Sequence, residues 1–382
     1  MILEPSFTLG IEEEYLLVDR RTRDVVRDPP PQLLAACEAA GKGRIFPEFL
    51  RSQIEVATGI CASAAAARAE LVELRRTVID IAGAHGMAPI AAATHPFAMP
   101  DDQRHTDQDR YRALHDDLQG VARRLMICGM HVHVGIADDE LRIDLMNQVS
   151  YFLPHLLALS TSSPFWQGTD SGLKSYRIAV FDELPRTGIP ERFESAGEYR
   201  RHVDMLIAVG VITDASKLWW DIRPSARFPT LEMRVTDVAT ELDDGIAIAC
   251  LYRCLLRMLW RLRRANQRWR IYARMLIDEN RWRAQRYGID AGLVDFGRAV
   301  IVPYAELLEE IFTLVAEDAA FFDCVAEVNH ARTILARGTS AHRQLEVFRT
   351  ALAGGASQAE ALAAVVDWLI EATVPSAGKS AS

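Results

Sequence analysis

Acidic and basic side chains fall at every second position in a short stretch of this chain. Residues 230–236 read Thr-Leu-Glu-Met-Arg-Val-Thr and alternate polar and apolar residues without a break. That alternation is the period of a half-buried β-strand, whose side chains point to opposite faces in turn. The carboxylate of Glu232 and the guanidinium of Arg234 then lie side by side on one face. A surface ion pair is the alternative to a functional site.

Four other stretches repeat this pattern with residues that bind metals or phosphate. Each is interpreted as a strand with one packed face and one polar face. The polar faces do not carry the Thr, Lys and Ser of a solvated sheet. Carboxylate oxygens are ligands for hard divalent cations, and guanidinium groups bind phosphate. The polar positions are Glu12 and Glu14 in residues 10–16; Arg51, Gln53 and Glu55 in 51–57; His131 and His133 in 130–136; and Trp219, Asp221 and Arg223 in 218–223.

This set of side chains favours a hard metal ion. Several carboxylates and one histidine suit two or more magnesium ions, which prefer oxygen ligands and bridge substrate phosphates. Zinc is the competing metal, because two histidines two positions apart, such as His131 and His133, occur in zinc sites. The absence of a cysteine cluster favours the harder ion. Arg177, Arg223 and Arg234 could neutralise phosphate oxygens in a bidentate manner.

Two acidic residues break the simple pattern. Strict alternation places Glu13 on the packed face of its strand, where it would reach a strand end or pair with an arginine. Glu48 and Glu55 are seven positions apart, so on one plain strand they would face opposite sides. If both serve one site, a bulge or bend near Leu50 must come between them.

Other polar residues are expected to play supporting roles. Asp221 is interpreted as an orienting partner of Arg223 rather than as a metal ligand. His95 precedes a proline and is interpreted as part of a structural turn. Glu232 is expected to be crowded by like charges, so that its removal would leave the melting temperature unchanged or raise it.

Several common catalytic classes are excluded by missing motifs. The chain has no G-x-x-x-x-G-K-[ST] loop and no G-x-S-x-G elbow. It also lacks a G-x-G-x-x-G after a strand, so a classical dinucleotide fold is not expected. The residues alone therefore indicate a metal-dependent phosphoryl-transfer or hydrolytic enzyme with an open polar sheet face.

Composition bounds the class of protein. The 382 residues are 49% hydrophobic and 25% charged, which is typical of a soluble globular protein. A formal net charge of −9 argues against nucleic-acid binding, although arginines are crowded in residues 253–286. Six cysteines without a Cys-x-x-Cys pair indicate a reducing compartment. No signal-like start and no long apolar run are present, so we expect a cytoplasmic protein with no membrane partner.

The order of predicted elements indicates an α+β protein. Strands occupy the first two thirds, including residues 7–18, 46–58 and 88–93, and the last third is helical. The polar faces are spread over more than 200 residues, so they converge only in one domain around one sheet, with helices on its apolar face. Residues 160–188 are predicted to be an irregular binding loop that includes a mobile lid. The predicted helices are 62–85, 107–128, 140–159, 198–209, 246–265, 270–287, 303–320, 323–336, 340–352 and 358–372.

A family resemblance rests on motifs that occur in order from about residue 6 to 372. Together they resemble the bacterial carboxylate–amine ligases of the glutamate–cysteine ligase type 2 family. The motifs are Gly-Ile-Glu-Glu-Glu at 10–14, Thr-His-Pro-Phe at 94–97, Gly-Met-His-Val-His-Val-Gly at 129–135, Leu-Ala-Leu-Ser at 157–160, Ser-Pro-Phe-Trp at 163–166, Ser-Tyr-Arg at 175–177, Leu-Pro-Arg-Thr-Gly at 184–188, Trp-Asp-Ile-Arg-Pro-Ser at 220–225 and Leu-Glu-Met-Arg at 231–234.

The resemblance implies a fold and a site. The fold is a glutamine-synthetase-like, curved, largely antiparallel sheet within a single catalytic domain, residues 1–382. The sheet-bearing part would cover about 6–240, the helical part about 241–372, and a short disordered tail 375–382. The positions that match the family's metal-binding pattern are Glu12, Glu14, Glu48, Glu55, His131 and Glu232. Those expected near the ATP phosphates or the activated carboxylate are His133, Arg177, Arg223 and Arg234.

The resemblance also implies a reaction. ATP, with Mg²⁺ or Mn²⁺, would phosphorylate a substrate carboxylate, and an amine would displace phosphate to form an amide. Glutamate is the expected donor, and cysteine or another amine the acceptor. A metal-dependent hydrolase and an inactive metabolite-binding homologue are the alternatives. The partners would be small molecules, with no nucleic acid, and a homodimer is left open.

Overall fold

The architecture is described from a computed structural model, which covers residues 4–107 and 118–376. The strands are β1 (Leu9–Asp19), β2 (Ile45–Pro47), β3 (Gln53–Ala57), β4 (Met87–Ile90), β5 (Met130–Gly135), β6 (Phe165–Trp166), β7 (Thr169–Asp170), β8 (Thr187–Gly188), β9 (Trp219–Trp220), β10 (Ile222–Pro224), β11 (Thr230–Met233), β12 (Leu293–Asp295) and β13 (Val300–Val302).

Within the described residues, the main sheet has seven strands, and all its pairings are antiparallel. The order is β10–β11–β5–β1–β3–β2, and β4 pairs with the last residues of β1. The long strand β1 therefore lies at the centre and contacts three neighbours. The remaining strands form two-stranded pairs, of which β8–β9 is parallel.

Most of the other regular secondary structure in the described chain is helical. They are α1 (Pro31–Gly41), α2 (Ala64–Ala84), α3 (Asp139–Val149), α4 (Leu153–Ser160), α5 (Tyr176–Phe181), α6 (Ala196–Ala208), α7 (Leu242–Arg264), α8 (Arg274–Tyr287), α9 (Tyr304–Phe321), α10 (Val325–Arg337), α11 (Ser340–Ala353) and α12 (Gln358–Thr373). The helices of the last third and the α+β class are confirmed, whereas the hairpin of β12 and β13 was not predicted. Within the described ranges, no helix is long and apolar enough to cross a membrane.

Two helices cover the packed face of the main sheet. The N-terminus of α2 is capped by Ser63, whose side chain accepts a hydrogen bond from the N–H of Ala66. Leu71, Leu74 and Val78 follow at helical spacing and are buried against β1 and β3. Helix α7 is buried over most of its length and packs on β1 and β5. The apolar face of the sheet is thus closed, which leaves the polar face open.

Two predicted elements differ from the structure, and a third lies mostly outside the described residues. The helix predicted over 107–128 is wrong from residue 119 onward, where the chain forms turns and a short 3₁₀ helix, and residues 108–117 lie outside the described part. The predicted strand 88–93 ends at Ile90, because the next N–H groups bond to the side chains of Thr373 and Ser162. Most of the tail predicted as disordered, residues 377–382, also lies outside the described part.

Residues 160–188 contain more regular structure than the irregular loop that was predicted, and the mobility of a lid there stays a prediction. They contain β6, β7, β8 and α5, and their first part is held by the buried carboxylate of Asp237. This carboxylate accepts hydrogen bonds from the hydroxyl groups of Ser163 and Ser175, at 2.8 Å each, and from the N–H of Ser162. The prediction missed this anchor because Asp237 lies more than 60 residues away in sequence.

A buried ion pair joins the centre of the sheet to α2. Glu13 lies on the packed face of β1, as predicted, and accepts two hydrogen bonds of 2.8 Å from Arg75. Both side chains have no solvent exposure. Arg75 also donates to the carbonyl oxygens of Ala239 and Thr240, so one guanidinium fixes β1 against the segment that follows β11.

Arg75→Met should be strongly destabilising, because it leaves the carboxylate of Glu13 buried without its partner. We expect a loss of about 3–5 kcal/mol in the free energy of unfolding, measured by urea denaturation. Arg27→Met, which breaks an exposed pair with Asp102, is the control and should change stability little. Equal stability of the two variants would contradict a structural role for the buried pair.

Candidate active site

The ten residues predicted at the site line one pocket of about 510 Å³ on the open face of the main sheet. The structure therefore brings together side chains that are spread from residue 12 to residue 234. Their roles remain predictions. They are Glu12, Glu14, Glu48, Glu55, His131, His133, Arg177, Arg223, Glu232 and Arg234.

The register of the strands explains this convergence. Glu12 on β1 lies opposite His131 on β5, and Glu14 lies opposite Glu55 on β3. At the other end of the sheet, Glu232 on β11 pairs with His133 and with Arg223 on either side. Because side chains two positions apart share a face, neighbouring strands place these residues in adjacent rows.

Glu48 reaches the same face through the bend that the sequence predicted. Strands β2 and β3 form an antiparallel hairpin in which Phe46 pairs with Glu55, and the chain turns between residues 47 and 53. Glu48 opens that turn, and its Oε2 accepts the N–H of Phe49 at 2.7 Å. Ligand atoms of Glu14, Glu48 and Glu55 all lie within 4.8 Å of one another. We call these three residues the carboxylate triad.

The carboxylate triad is electrostatically strained without a cation. Burial and the charge of Glu48 raise the pKa of Glu14 to about 7. Burial and the negative charges of Glu48 and Glu12 raise the pKa of Glu55 well above its ordinary value. Three oxygen ligands that repel one another are the chemistry that a hard divalent cation relieves. The triad therefore fits Mg²⁺ or Mn²⁺.

A second group of possible ligands lies beside the triad. Atoms of Glu12, His131 and Glu232 also approach within 4.8 Å of one another. His131 Nδ1 is 3.1 Å from Glu12 Oε2, which leaves Nε2 to face Glu14 Oε1 at 4.0 Å. Burial and the charge of Arg234 lower the pKa of His131 to about 4, so its imidazole is neutral and can act as a ligand. His131 thus links the two groups.

Glu12 is ionised despite its burial. Burial alone would raise its pKa, but hydrogen bonds and charge from His131 and His133 outweigh that effect and hold the pKa well below its ordinary value. His133 Nδ1 lies 2.9 Å from Thr230 Oγ1, and its Nε2 lies 3.3 Å from Glu12 Oε1, which is within the distance of an ion pair. His133 is therefore the second histidine that holds Glu12 in its ionised form.

Glu232 is surrounded by positive rather than negative charge. Its carboxylate accepts from Arg223 Nε and Nη2 at 3.0 and 3.2 Å and also contacts Arg234 Nη1. Burial raises its pKa, but the two arginines outweigh burial and lower the pKa far below its ordinary value. The expectation that like charges crowd Glu232 is therefore wrong, because the sequence does not reveal which guanidinium groups fold over which carboxylate.

Arg223 is largely committed to the protein. Besides Glu232, its Nη1 donates to the carbonyl oxygens of Ser216 and Leu218 at 2.6 and 2.9 Å. The predicted pairing of Asp221 with Arg223 is wrong. Asp221 instead accepts from Arg281 on α8 at 2.6 Å, which assigns a structural role to one residue of the arginine-rich stretch.

Arg177 is held against the sheet by close packing. Its guanidinium donates to the carbonyl oxygens of Arg234 and Val235 at 3.2 and 3.3 Å. A Cβ atom at Gly129 would lie 2.4 Å from Arg177 Nη2, so only glycine permits this approach. The N–H of Gly129 also donates to Glu14 Oε2 at 2.7 Å. The glycine before the histidine strand therefore serves both side chains.

Of the predictions for His95 and Arg51, the first is confirmed and the second is wrong. His95 is a structural residue, as predicted, because its buried Nδ1 accepts the N–H groups of Phe97 and Ala98. Arg51 does not share the polar face of β3. It precedes the strand and forms an exposed ion pair with Asp28 at 2.8 Å.

The sequence reasoning missed the residues that loops bring to the pocket. Lys217, Ser225, Arg227 and Phe228 line its mouth, and the ring of Phe228 packs edge-on against His133 at 6.2 Å. No local signal identifies these four residues, because they come from turns and from the end of a 3₁₀ helix. Apolar side chains line another part of the pocket, and we call them the apolar wall: Phe49, Leu118, Leu125, Ile127, Phe181, Leu184 and Trp219.

Glu232→Gln should lower the stability of the protein, since it leaves Arg223 and Arg234 buried beside each other. We expect a loss of about 3 kcal/mol in urea denaturation without ligands. Glu309→Gln, which weakens a surface pair with Arg332, is the control. An unchanged or raised stability would show that Glu232 is repelled like the carboxylates of the triad.

Glu14→Gln should change how stability depends on pH in the presence of a chelator. The pKa of Glu14 is about 7 in the folded protein against an ordinary 4.5. The folded state therefore binds more protons than the unfolded chain between these values, and stability falls as pH rises through them. The variant should be more stable than the wild type at pH 8 and equal to it near pH 4.5. A difference in stability between the two proteins that stays constant over this pH range would contradict the raised pKa of Glu14.

Comparison with solved structures supports the fold. The chain is similar to the glutamate–cysteine ligase from Francisella tularensis in complex with AMP, with a TM-score of 0.68 and 15% identity over 96% of this chain and 89% of that one. It is also similar to the bifunctional glutathione synthetase from Pasteurella multocida, with a TM-score of 0.67 and 15% identity. The match covers 96% of this chain but only 52% of that longer protein.

Sequence comparison gives closer relatives. A Rhodospirillum rubrum protein named "Putative glutamate--cysteine ligase 2" is 63% identical over 99% of this chain and 98% of its own length. A protein of the same name from Jannaschia sp. is 55% identical over 96% of this chain and 97% of its own length. The model of the glutamate–cysteine ligase family 2 matches residues 8–367. The chain therefore belongs to glutamate–cysteine ligase family 2.

Proposed function

We propose that the protein is an ATP-dependent ligase that joins a carboxylate to an amine through an acyl phosphate. Glutamate is the first donor to test and cysteine the first acceptor, because these substrates come from the names of the family and its relatives. One observation carries the proposal. Two groups of metal-type ligands lie side by side on one sheet face, joined through His131 and next to Arg177 and Arg234.

The two groups of ligands fit two divalent cations. Glu12, His131 and Glu232 would hold one ion, and the carboxylate triad would hold another. Glu232 would then exchange part of its pairing with Arg223 and Arg234 for the ion. Bound cations supply charge neutralisation and bring the γ-phosphate of ATP and a carboxylate together despite their repulsion.

The protein's own residues then position the reactants. A carboxylate oxygen of the donor attacks the γ-phosphorus, and ADP leaves. The acceptor's unprotonated amine next attacks the acyl carbon, the C–O bond to phosphate breaks, and the amine proton passes to the released phosphate. Arg177 and Arg234 would neutralise the negative charge that develops on the phosphoryl oxygens in such a transfer. The enzyme needs no covalent nucleophile, which agrees with a site built from Glu, His and Arg.

The neutral form of His131 and the ionised form of Glu12 fit this scheme. A neutral imidazole is a ligand, whereas a protonated one would repel a cation. His133 Nε2 lies 3.3 Å from Glu12 Oε1 and, with His131, keeps that carboxylate in the ionised form that binds a cation. The apolar wall of the pocket would limit water around the acyl phosphate and so favour amide formation over hydrolysis.

Isotope transfer tests the proposal. Glutamate labelled with ¹⁸O in its side-chain carboxylate should pass one label into the released phosphate in the presence of ATP, Mg²⁺ and an amine, with ADP as the nucleotide product. Glu55→Gln should lower this turnover by orders of magnitude, because it removes one ligand of the triad. The control Glu191→Gln changes an exposed acid outside the pocket and should leave turnover unchanged.

Three results would contradict the mechanism. Phosphate without the donor's oxygen, or AMP and pyrophosphate in place of ADP, would exclude an acyl phosphate. Metal-dependent hydrolysis that requires no amine and no ATP would instead support the hydrolase alternative. Equal turnover in chelator would remove the role given to the two ligand groups.

A further inference from the structure

We propose that Lys217 and Arg227 form a second anion-binding subsite at the mouth of the pocket. It would hold an anionic group that does not react, either a phosphate of the nucleotide or a second carboxylate of the acid substrate. The inference deepens the proposed function and rests on it for the identity of the ligands. It starts from which cations in the pocket are already engaged and which are not.

The three inner arginines are engaged by the protein. Arg223 and Arg234 share the carboxylate of Glu232, and Arg223 also donates to two backbone carbonyl groups. Arg177 donates to two carbonyl oxygens and is almost completely buried. An incoming anion that relied on Arg223 would have to displace these bonds, whereas Arg177 Nε and Arg234 Nε are buried donors without a hydrogen-bond partner among the described residues.

Lys217 is presented to the pocket by a rigid loop. Arg223 Nη1 holds the carbonyl oxygens of the residues before and after it, Ser216 and Leu218. Arg186 Nε donates to the carbonyl oxygen of Lys217 itself at 3.1 Å. Asp214 caps the short helix at this point by accepting the N–H of Ser216 at 2.7 Å. The backbone of Lys217 is thus fixed from several sides.

The ammonium group of Lys217 is not committed. Within residues 4–107 and 118–376, it makes no hydrogen bond, and no carboxylate oxygen lies within the 4.0 Å of an ion pair. The residue is half-buried and lines the pocket. Asp214 is the closest acid along the loop and interacts with it only through longer-range charge. A fixed backbone with a free charge is what a preorganised binding group requires.

Arg227 faces the same opening from the turn between β10 and β11. The hydroxyl of Ser225 accepts the N–H groups of Arg227 and Phe228 at 3.3 Å each and so shapes this turn. The guanidinium of Arg227 has no hydrogen-bond or ion-pair partner in the described part of the chain. It is exposed and lines the pocket. Among the described residues, two uncommitted cations therefore line the same pocket.

The charge of the pocket explains why such a subsite is needed. Six carboxylates line it against five basic side chains. An ATP molecule and an acid substrate add several negative charges, and the triad repels any anionic group that no cation screens. Lys217 and Arg227 can meet such a group with their whole cationic heads and without losing an existing bond. Arginine can bind phosphate or carboxylate in a bidentate manner, and lysine provides a point charge.

Binding measurements on matched variants test this subsite. Lys217→Ala, Arg227→Ala and the double variant are compared with Arg201→Ala, an exposed arginine on α6 that lies outside the pocket. Calorimetry with Mg²⁺–ATP, inorganic triphosphate and glutamate reports each kind of anion separately. We expect each single variant to bind one kind about 10- to 100-fold more weakly, as expected for the loss of a charge-assisted hydrogen bond. The melting temperatures should not change.

The pattern of losses identifies the group that is bound. Weaker binding of ATP and triphosphate alone indicates a phosphate subsite, and weaker binding of glutamate alone indicates a carboxylate subsite. The difference should shrink as ionic strength rises, because Arg227 is exposed. Affinities equal to those of Arg201→Ala, or a wild-type protein that binds none of the three probes, would overturn the inference. If triphosphate or glutamate binding depends on Lys217 while no acid–amine pair gives turnover, the subsite stands and the proposed function fails.

Discussion

Repulsion among carboxylates on one face of a sheet is the constraint on which this structure depends. The two-residue period of a strand places Glu12 and Glu14 on the same side of β1, and the antiparallel register adds Glu55 beside them. Burial makes the repulsion stronger, because the charges are poorly screened. Two arginines neutralise Glu232, whereas burial and neighbouring carboxylates keep the pKa values of Glu14 and Glu55 raised.

The strands that carry this face must be stabilised by other contacts, since the open side of the sheet contributes little packing. Buried charges that are fully paired provide such contacts. Glu13 and Arg75 fix β1 on its apolar side, and Arg281 holds Asp221 next to the strand that carries Arg223. The buried carboxylate of Asp237 gathers hydroxyl groups close to Arg177. The polar residues outside the pocket therefore keep strained residues in position, and their conversion to apolar groups would alter the site without touching a substrate.

The sequence was most informative where a local period determines which way side chains point. Alternation placed Glu12, Glu14, His131 and Glu232 on one face correctly, and helical spacing located the last third of the chain. It was less informative about partners of long side chains. A guanidinium spans neighbouring strands and loops, so its partner depends on tertiary contacts that no local pattern records. The errors at Asp221 and Glu232, and the failure to find Lys217, share this cause.

The division between strands and loops also separates two kinds of chemical information. Most of the proposed metal ligands lie on paired strands, where register fixes their distances to within the range that a cation tolerates, and Glu48 lies in the turn after β2. The loop at 213–217 and the turn at 225–228 also line the pocket, and they depend on Arg223 and Ser225 for their shape. The family match over residues 8–367 constrains the proposed reaction more tightly than the substrate. Chains that share the sheet residues can therefore differ in substrate through changes in these loops alone.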